Sequence, residues 1–398
     1  MIINLIINKN MKKNIWYFGL EPLKARYTYQ LCEQWMPETF KKYSDSVNFI
    51  PVKGEFDPDQ EIKVGAVLDA VGRGKYALTQ CAKFLDHLQA GEVQDGDVVF
   101  LQDYWTSGID SLFYALDLYG YKNIKFYAML HAQSVDEYDF TYNMKHWMRY
   151  YELGLDNRIT GIFVGSTIHK EQLRSAGFKS PIHVVSLPIH KSLTEQVLPN
   201  YKGLQKENVV VFSSRFDKEK NPHFMLAVAK SFLEQNTDWE WHITTSGKSI
   251  RSMLPGVVES LYKFAEQEPR FKILTNLTKE QYYTELATCK IQFNSSLQDY
   301  VSWTVIESTI FGADIVYPDF RSFPEFIDSS RLYKAFNVES AVEVLNKVHS
   351  NLKKHSYIGE ISDLGRQIEG YIIANGIDTE INVWHELEYC KNLLGDKI

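Results

Sequence analysis

Two acids in the second half of the chain flank a predicted helix start. Asp299 stands eight positions before Glu307, and the helix is predicted to begin near Ser302 or Thr304. A helix start presents free backbone N–H groups and a positive dipole end, which suit a phosphate. Carboxylates beside it can accept charge-assisted hydrogen bonds from sugar and ribose hydroxyls. This spacing therefore predicts a nucleotide-sugar site.

A second loop supplies positive charge. Arg215 and Lys220 follow a predicted strand, Val209–Phe212, and precede a helix that begins near Pro222. Two cations just past a strand end can neutralise a diphosphate leaving group, and one such electrostatic contact contributes roughly 3–4 kcal/mol to catalysis. The alternative interpretation is a pair of solvated loop charges balanced by neighbouring acids.

Composition restricts the class of protein. The chain has 398 residues, of which 44% are hydrophobic and 23% charged, and this length favours two domains. No apolar run approaches the roughly 18 residues of a membrane span. The four widely separated cysteines predict reduced packing residues of a cytoplasmic protein. The net charge of −7 argues against a nucleic-acid surface over the whole protein, although a local basic groove stays open.

Short apolar runs alternate with longer amphipathic ones, which predicts an α/β protein with parallel sheets and helices on both faces. Predicted strands of the first half are 15–19, 47–52, 98–101, 124–130, 161–164 and 182–187, with helices at 27–43, 66–89, 108–118, 140–152 and 168–176. A linker is predicted at 188–206, and a second strand–helix series follows it. Further helices are predicted at 339–352, 363–374 and 379–394. The apolar start is interpreted as an extra segment before Met11 or a short strand.

Three segments together resemble the retaining GT-B glycosyltransferases of group 1, the family 4-like type. They are Ser214-Arg-Phe-Asp-Lys-Glu-Lys-Asn-Pro222, the Asp299-x7-Glu307 spacing with Gly312 after it, and Pro324-Glu325. The resemblance implies a GT-B fold, in which two Rossmann-like, doubly wound parallel-sheet domains face a cleft. It also implies transfer of a sugar from a nucleotide-diphosphate donor, a UDP sugar, with retention and without a metal ion or other cofactor.

The resemblance also implies roles for single residues. Arg215 and Lys220 are the implied diphosphate ligands, Asp299 and His131 contact the transferred sugar, and Glu307 binds the ribose. Catalysis is thus assigned to His131, Asp299, Arg215 and Lys220. The alternative for His131 is a packed histidine, and for Asp299 a helix cap.

Other donor contacts are predicted at strand ends and at the helix start, where turns approach a ligand closely. They are Gly19, Ser214, Ser246, Gly247, Thr275, Leu277, Val301, Ser302, Trp303 and Thr304. The alternative for the turns at 246–247 and 275–277 is an ordinary loop. Predicted acceptor contacts are Lys24, Arg26, Asp103, Trp105 and Glu137.

The sequence departs from the family pattern near the donor. Asp299 replaces the usual Glu, Tyr300-Val301-Ser302 replaces the usual Gly-Phe-Gly, and Ser214 replaces a Gly. An aspartate is shorter by one methylene, so the donor sugar can sit differently or differ in kind. These departures also support a third interpretation, a non-catalytic protein that binds a nucleotide sugar.

The acceptor stays open between two classes. Segments 18–29 and 300–317 resemble transferases of large DNA phages and enzymes that glycosylate modified nucleobases, which implies a hydroxymethylated base in DNA, or a tRNA base, as acceptor. The cations available for such a ligand are Lys24, Arg26, Arg73, Lys75, Lys145 and Arg149. The alternative is a glycan or a lipid-linked saccharide, with no stable insertion into a membrane. The predicted organisation is an acceptor-binding domain at 1–190, a donor-binding domain at 191–375 and a terminal helix at 376–398 that crosses back to the first domain.

Overall fold

The computed structural model describes residues 12–24, 26–41, 43–45, 47–57, 69–131, 134–185, 187 and 189–350. The predicted segment before Met11 and the predicted helices at 363–374 and 379–394 lie outside these residues.

The first sheet contains six parallel strands in the order β2-β1-β3-β4-β5-β6. Its strands are β1 (Lys13–Phe18), β2 (Val47–Pro51), β3 (Val98–Leu101), β4 (Lys125–Met129), β5 (Gly161–Val164) and β6 (Ile182–Val184). Central strands β3 and β5 are buried along their whole length, as expected of a parallel sheet covered on both faces. Strands β1, β3 and β4 are neighbours, so their carboxyl ends meet at one edge.

Six α-helices connect these strands. They are α1 (Tyr27–Tyr29), α2 (Met36–Lys41), α3 (Ala70–Gln89), α4 (Ile109–Leu118), α5 (Lys145–Asp156) and α6 (Thr167–Ser175), with a 3₁₀ turn at Tyr142–Met144. The single helix predicted over 27–43 is interrupted by a π-helical segment, Gln30–Trp35. The Met36 N–H bonds to the Leu31 carbonyl, one residue further back than in an α-helix. Pro37 follows at once and has no N–H to continue the ordinary pattern.

The second sheet also contains six parallel strands, in the order β12-β11-β10-β7-β8-β9. They are β7 (Glu207–Phe212), β8 (Glu240–Thr244), β9 (Phe271–Leu274), β10 (Cys289–Phe293), β11 (Asp314–Asp319) and β12 (Leu332–Lys334). The short edge strand β12 was not predicted. Its three residues are too few for a recognisable alternation of apolar and polar positions.

The helices of the second half follow the predicted alternation. They are α7 (Lys191–Gln196), α8 (Pro222–Gln235), α9 (Val257–Gln267), α10 (Lys279–Thr288), α11 (Trp303–Ile310), α12 (Phe323–Phe326) and α13 (Val338–Ser350), with 3₁₀ turns at Tyr201–Gly203, Lys218–Lys220 and Ser329–Arg331. Helix α7 and one 3₁₀ turn lie in the segment 188–206, which was predicted as a linker and connects β6 to β7. The turn predicted at Pro324 is the short helix α12, in which the proline occupies the first turn.

The two halves share part of their core. One apolar cluster contains Tyr17 and Phe100 from the first sheet together with Val211, Tyr283 and Ile306 from the second half. Side chains from both halves therefore pack in one apolar cluster. The predicted α/β fold with two Rossmann-like sheets is confirmed. Within the described ranges, no helix combines the length and apolarity needed to cross a membrane.

Candidate active site between the two strand edges

The carboxyl edge of the first sheet collects three predicted residues. Gly19 follows β1, Asp103 follows β3 and His131 follows β4, and these strands are adjacent. Arg73 of α3 joins the edge: its Nη1 lies 3.1 Å from Glu21 Oε2 and its Nη2 lies 3.2 Å from Asp103 Oδ2. The arginine side chain is only 11% exposed. The edge thus holds one cation between two carboxylates.

His131 is held in one tautomer. Its Nε2 lies 2.9 Å from the Gln102 carbonyl oxygen, which can only accept, so Nε2 carries the hydrogen. Burial lowers the pKa of the imidazole, and the nearby charge of Asp103 opposes that shift only in part. Near neutral pH the ring is therefore uncharged, and its Nδ1 is a hydrogen-bond acceptor.

Gly19 has a packing role of its own. A Cβ at this position would lie 3.0 Å from the Tyr17 ring and 3.1 Å from Cys32 Sγ. Its carbonyl also accepts a hydrogen bond of 3.1 Å from Gln80. A side chain at this position would therefore require Tyr17 or Cys32 to move by a few tenths of an ångström.

The other predicted acceptor residues are dispersed. The Trp105 indole donates a 3.1 Å hydrogen bond to Glu152, and its ring packs into the first-half core. Glu137 is exposed and pairs with Arg321 of the second half. Lys24 is exposed and Arg26 is half-buried, both just before α1. The first edge thus brings together Asp103 and His131 and leaves Trp105 in the core.

The carboxyl edge of the second sheet carries most of the predicted donor contacts. Strands β10, β7, β8 and β9 are neighbours, and each ends in a predicted loop. In that spatial order the loops contain Asp299, then Ser214 and Arg215, then Ser246 and Gly247, then Thr275 and Leu277. Ligands of doubly wound sheets bind at such edges.

Lys220 and Asp299 form a tight ion pair. The lysine Nζ lies 2.7 Å from Asp299 Oδ1 and 3.0 Å from the Gln298 carbonyl oxygen, and its side chain is 8% exposed. Asp299 Oδ2 accepts a 3.0 Å hydrogen bond from Ser296. An incoming diphosphate would have to compete with Asp299 for this lysine.

Arg215 is far more accessible. Its side chain is 42% exposed, and its guanidinium lies 2.8 Å from Glu219 and 3.8 Å from Asp217. This is the acid pairing that the alternative interpretation foresaw. The guanidinium is nevertheless half in solvent, where it can turn toward an anionic ligand.

Glu307 is buried in α11 and already receives three donors. Its Oε2 accepts 2.8 Å from the Tyr282 hydroxyl, and its Oε1 accepts 3.1 Å from the Tyr283 hydroxyl and 3.3 Å from Lys279 Nζ. Burial raises the pKa of both tyrosines, and the charge of Glu307 adds to it, so both phenols stay protonated and donate. A ribose hydroxyl would share this carboxylate with these partners or replace one of them, and Oε2, which has one recorded donor, has acceptor capacity left.

The start of α11 is covered by aromatic rings from the first half. The Trp303 ring stacks on Tyr27 with centroids 4.7 Å apart and lies 5.8 Å from Trp35. Ser302 and Thr304 are buried beside it. Val301 faces Gly165, where a Cβ would come within 3.2 Å of the valine. The predicted donor helix therefore touches both halves.

Comparison with known proteins identifies the fold through solved structures of low sequence identity. No family model matches the chain, and no curated protein matches it. Among solved structures, a variant of S. aureus TarM in complex with fondaparinux, alpha-GlcNAc-glycerol and UDP is 17% identical, with a TM-score of 0.53 over 81% of this chain. The chain spans only 59% of the length of that TarM structure.

Two other solved structures match over nearly their whole length. Sucrose-phosphate synthase from Thermosynechococcus elongatus is 13% identical, with a TM-score of 0.63, covering 96% of this chain and 99% of that one. The pneumococcal O-GlcNAc transferase GtfA, solved with UDP and GlcNAc, is 10% identical, with a TM-score of 0.57, covering 97% and 100%. At such identities the similarity establishes the fold, and the predicted GT-B fold is confirmed.

Proposed function

We propose that this protein is a cytoplasmic glycosyltransferase that moves a sugar from a UDP-linked donor to a hydroxyl acceptor. The observation that carries the proposal is the composition of the two strand edges. One edge presents Arg215, Lys220 and Asp299, and the other presents Asp103 and a neutral His131. TarM and GtfA were solved with UDP, which supports a UDP donor here.

The proposed binding of the donor diphosphate depends on positive charge. In this proposal Lys220 leaves Asp299 for the diphosphate, Arg215 turns in from solvent, and the start of α11 adds its dipole. Glu307 exchanges a tyrosine hydroxyl for a ribose hydroxyl. The two cations neutralise the leaving group, so the proposed reaction includes no metal ion.

The chemical step proceeds with retention. The acceptor oxygen forms its bond to the anomeric carbon on the face from which the diphosphate departs, and the bond from that carbon to the phosphate oxygen breaks. The departing phosphate oxygen takes the acceptor proton. Asp299, released by Lys220, contacts the sugar. His131 accepts a hydrogen bond from a sugar hydroxyl through Nδ1.

We propose a saccharide hydroxyl as the acceptor. Arg73, one of the six first-half cations that a nucleic acid would need, is already neutralised by Glu21 and Asp103. Carboxylates at this edge suit neutral hydroxyls better than phosphates. A hydroxymethylated base in DNA, or a tRNA base, is the second candidate, which the exposed Lys24, Lys75 and Lys145 favour.

Cysteine chemistry supports the cytoplasmic assignment. Cys32, Cys81 and Cys289 are all buried as free thiols, and burial raises the pKa of each to about 12. Such thiols are unreactive packing groups that suit a reducing compartment.

A donor screen tests the function. Thermal shift with UDP-, ADP-, GDP- and TDP-linked sugars identifies the donor, and Arg215→Ala should then cut its turnover by about 10². Arg158→Ala is the matched control, because Arg158 is 41% exposed and pairs with a single aspartate far from the edges. Equal turnover in Arg215→Ala and the control would contradict the assignment of the diphosphate site.

Salt separates the two acceptor candidates. A nucleic-acid acceptor adds about −0.9 to the slope of log affinity against log salt for each neutralised phosphate, whereas a saccharide gives a nearly flat response. Activity is titrated with potassium chloride at saturating donor and limiting acceptor, using DNA with hydroxymethylated bases and a panel of oligosaccharides. A steep slope with turnover of DNA would overturn the saccharide proposal, and Lys24→Ala should then flatten it.

A further inference from the structure

A group of contacts, which includes the predicted acceptor residue Glu137, joins the two halves. We call it the clasp. On the first half it comprises the loop 134–139 and the start of α6, and on the second half it comprises Gln298, Tyr300, Arg321 and Glu325. All four second-half residues lie in the segment that carries Asp299.

Asp136 is the centre of the clasp. Its carboxylate is completely buried. One oxygen, Oδ2, accepts 2.6 Å from the Tyr300 hydroxyl and 2.5 Å from Arg321 Nη1, while Oδ1 accepts 3.0 Å from the Tyr138 N–H. Two of its three partners therefore come from the other half of the molecule.

Arg321 is held in a strained backbone. Its φ is 50°, in the left-handed region that residues with a side chain rarely adopt. The guanidinium pairs with Asp136 and Glu137 and lies over the Tyr138 ring, 4.7 Å from the centroid. Such strain persists where surrounding contacts determine the conformation, and it concentrates at functional sites.

The clasp fixes both sequence neighbours of Asp299. Tyr300 is bonded to Asp136 on its hydroxyl, and its ring stacks on His169 with centroids 3.6 Å apart. Gln298 donates 3.3 Å to Asp139. Asp299 itself accepts 2.6 Å from Ser322 through its main-chain oxygen. Both sequence neighbours of Asp299 are thus held by the opposite half, while its carboxylate contacts Lys220 and Ser296 of its own half.

Glu325 closes the clasp at its far side. Its two carboxylate oxygens accept 2.7 Å from the Thr167 N–H and 2.8 Å from the Ile168 N–H at the start of α6. A negative charge is favourable at a helix start. This contact connects α12 to the first half and fixes the end of the segment 298–325 relative to it.

We propose that Asp136 is a positioning residue for glycosyl transfer, which acts through Tyr300 and Arg321 to set Asp299 against the first half. The inference rests on the proposed function, because Asp299 must contact the sugar for its position to matter. Asp136 touches no reacting atom in this proposal. Its loss should therefore lower kcat and leave nucleotide affinity nearly unchanged.

The experiment compares wild type, Asp136→Asn and the control Asp117→Asn, which breaks an exposed ion pair with Arg158. Binding of UDP is measured by calorimetry, and hydrolysis of the donor identified in the screen, without acceptor, is measured as UDP release. Asp136→Asn should lower kcat by about 10- to 100-fold, because small misplacements are costly in catalysis. The UDP Kd should stay within about twofold and the binding stoichiometry should not change.

A double-mutant cycle tests whether Asp136 acts through Tyr300. If Asp136 acts through Tyr300, the combination of Asp136→Asn with Tyr300→Phe should be no slower than the slower single variant. Additive losses, or a kcat equal to wild type in Asp136→Asn, would overturn the inference. A fall in UDP stoichiometry that matches the fall in kcat would overturn it too, since unfolding would then explain both.

Different results would contradict the proposed function and the positioning role. If wild type neither binds UDP nor turns over any nucleotide sugar, the proposed function is wrong, and the positioning role falls with it. If wild type is active and the variant equals it, only the positioning role is wrong.

Discussion

The two strand edges hold their cations in different environments. At the first edge, Arg73 is 11% exposed and lies between two carboxylates. At the second edge, Lys220 is equally buried but has one carboxylate partner, and Arg215 is 42% exposed. Arg73 and Lys220 are both buried against carboxylates, whereas Arg215 is exposed enough to turn toward an anionic ligand. An accessible cation suits a charged diphosphate, and buried acids suit neutral hydroxyls.

The largest effect is expected for Lys220→Met at the second edge. The substitution leaves Asp299 without its cation and removes a diphosphate ligand, so turnover should fall by about 10² to 10³. Loss of one partner from a buried pair should also lower the free energy of unfolding by about 3 kcal/mol. Steady-state kinetics and urea unfolding measure the two effects.

Lys347→Met is the control for this substitution. Lys347 forms an exposed ion pair with Glu343 on α13, and exposed pairs contribute little. Wild-type affinity for UDP in a folded Lys220→Met variant would remove the distinction between the two edges.

The next effect is expected for Arg73→Met at the first edge. Two carboxylates would lose their shared cation, so the free energy of unfolding should fall by about 3 kcal/mol, as for Lys220→Met. Affinity for UDP should stay within about twofold, because Arg73 serves the protein and not the donor. Calorimetry with UDP and urea unfolding give both values. A UDP affinity weakened tenfold or more would show that this cation also serves the donor.

Much of this arrangement follows from local sequence. Asp103, His131, Arg215 and Asp299 each follow an apolar run of strand length, and the alternation of strands and helices brings strand ends to one edge. Arg73 could not be placed in this way, because it lies in a helix 30 residues from Asp103 and 52 from Glu21. Hydrophobic periodicity indicates whether one segment is a helix or a strand, and it gives no information about contacts with residues so distant in sequence.

The contacts of Glu307 show the same limit. Its spacing from Asp299 predicted a ribose ligand, but nothing in that spacing indicates Tyr282, Tyr283 and Lys279 as competing donors. They come from the preceding helix, α10, which packs on α11 in the folded protein. Tyr300 and Asp136 are 164 residues apart and lie in different halves. No local sequence pattern could therefore predict their hydrogen bond.

The dependence of stability on pH is expected to have opposite signs in the two halves. In the first half, burial, followed by the charge of His131, lowers the pKa of His169 to about 3. In the second half, burial acts to lower the pKa of His242, but hydrogen bonds to Glu285 and Glu240 outweigh it and raise that pKa.

The sign follows from the pKa in the unfolded chain, which is about 6.5. His169 should cost stability as pH falls from that value toward 3, because only the unfolded chain takes up the proton. His242 should stabilise the fold fully below that value and lose this contribution as pH rises through its raised pKa. The Tm of wild type, His169→Phe and His242→Gln is measured from pH 4 to 9. His169→Phe should flatten the acid side and His242→Gln the alkaline side, and the reverse assignment would contradict both.

The contact of Glu325 with α6 bears on how this protein can be recombined. The first turn of a helix in one half is completed by a carboxylate that the other half supplies. A chimera that joins this first half to the second half of another protein of the same architecture would leave the Thr167 and Ile168 N–H groups without that carboxylate, unless an acid occupies the equivalent place. The halves are therefore not freely exchangeable, and a stable hybrid would need α6 to be combined with Glu325 or an equivalent acid.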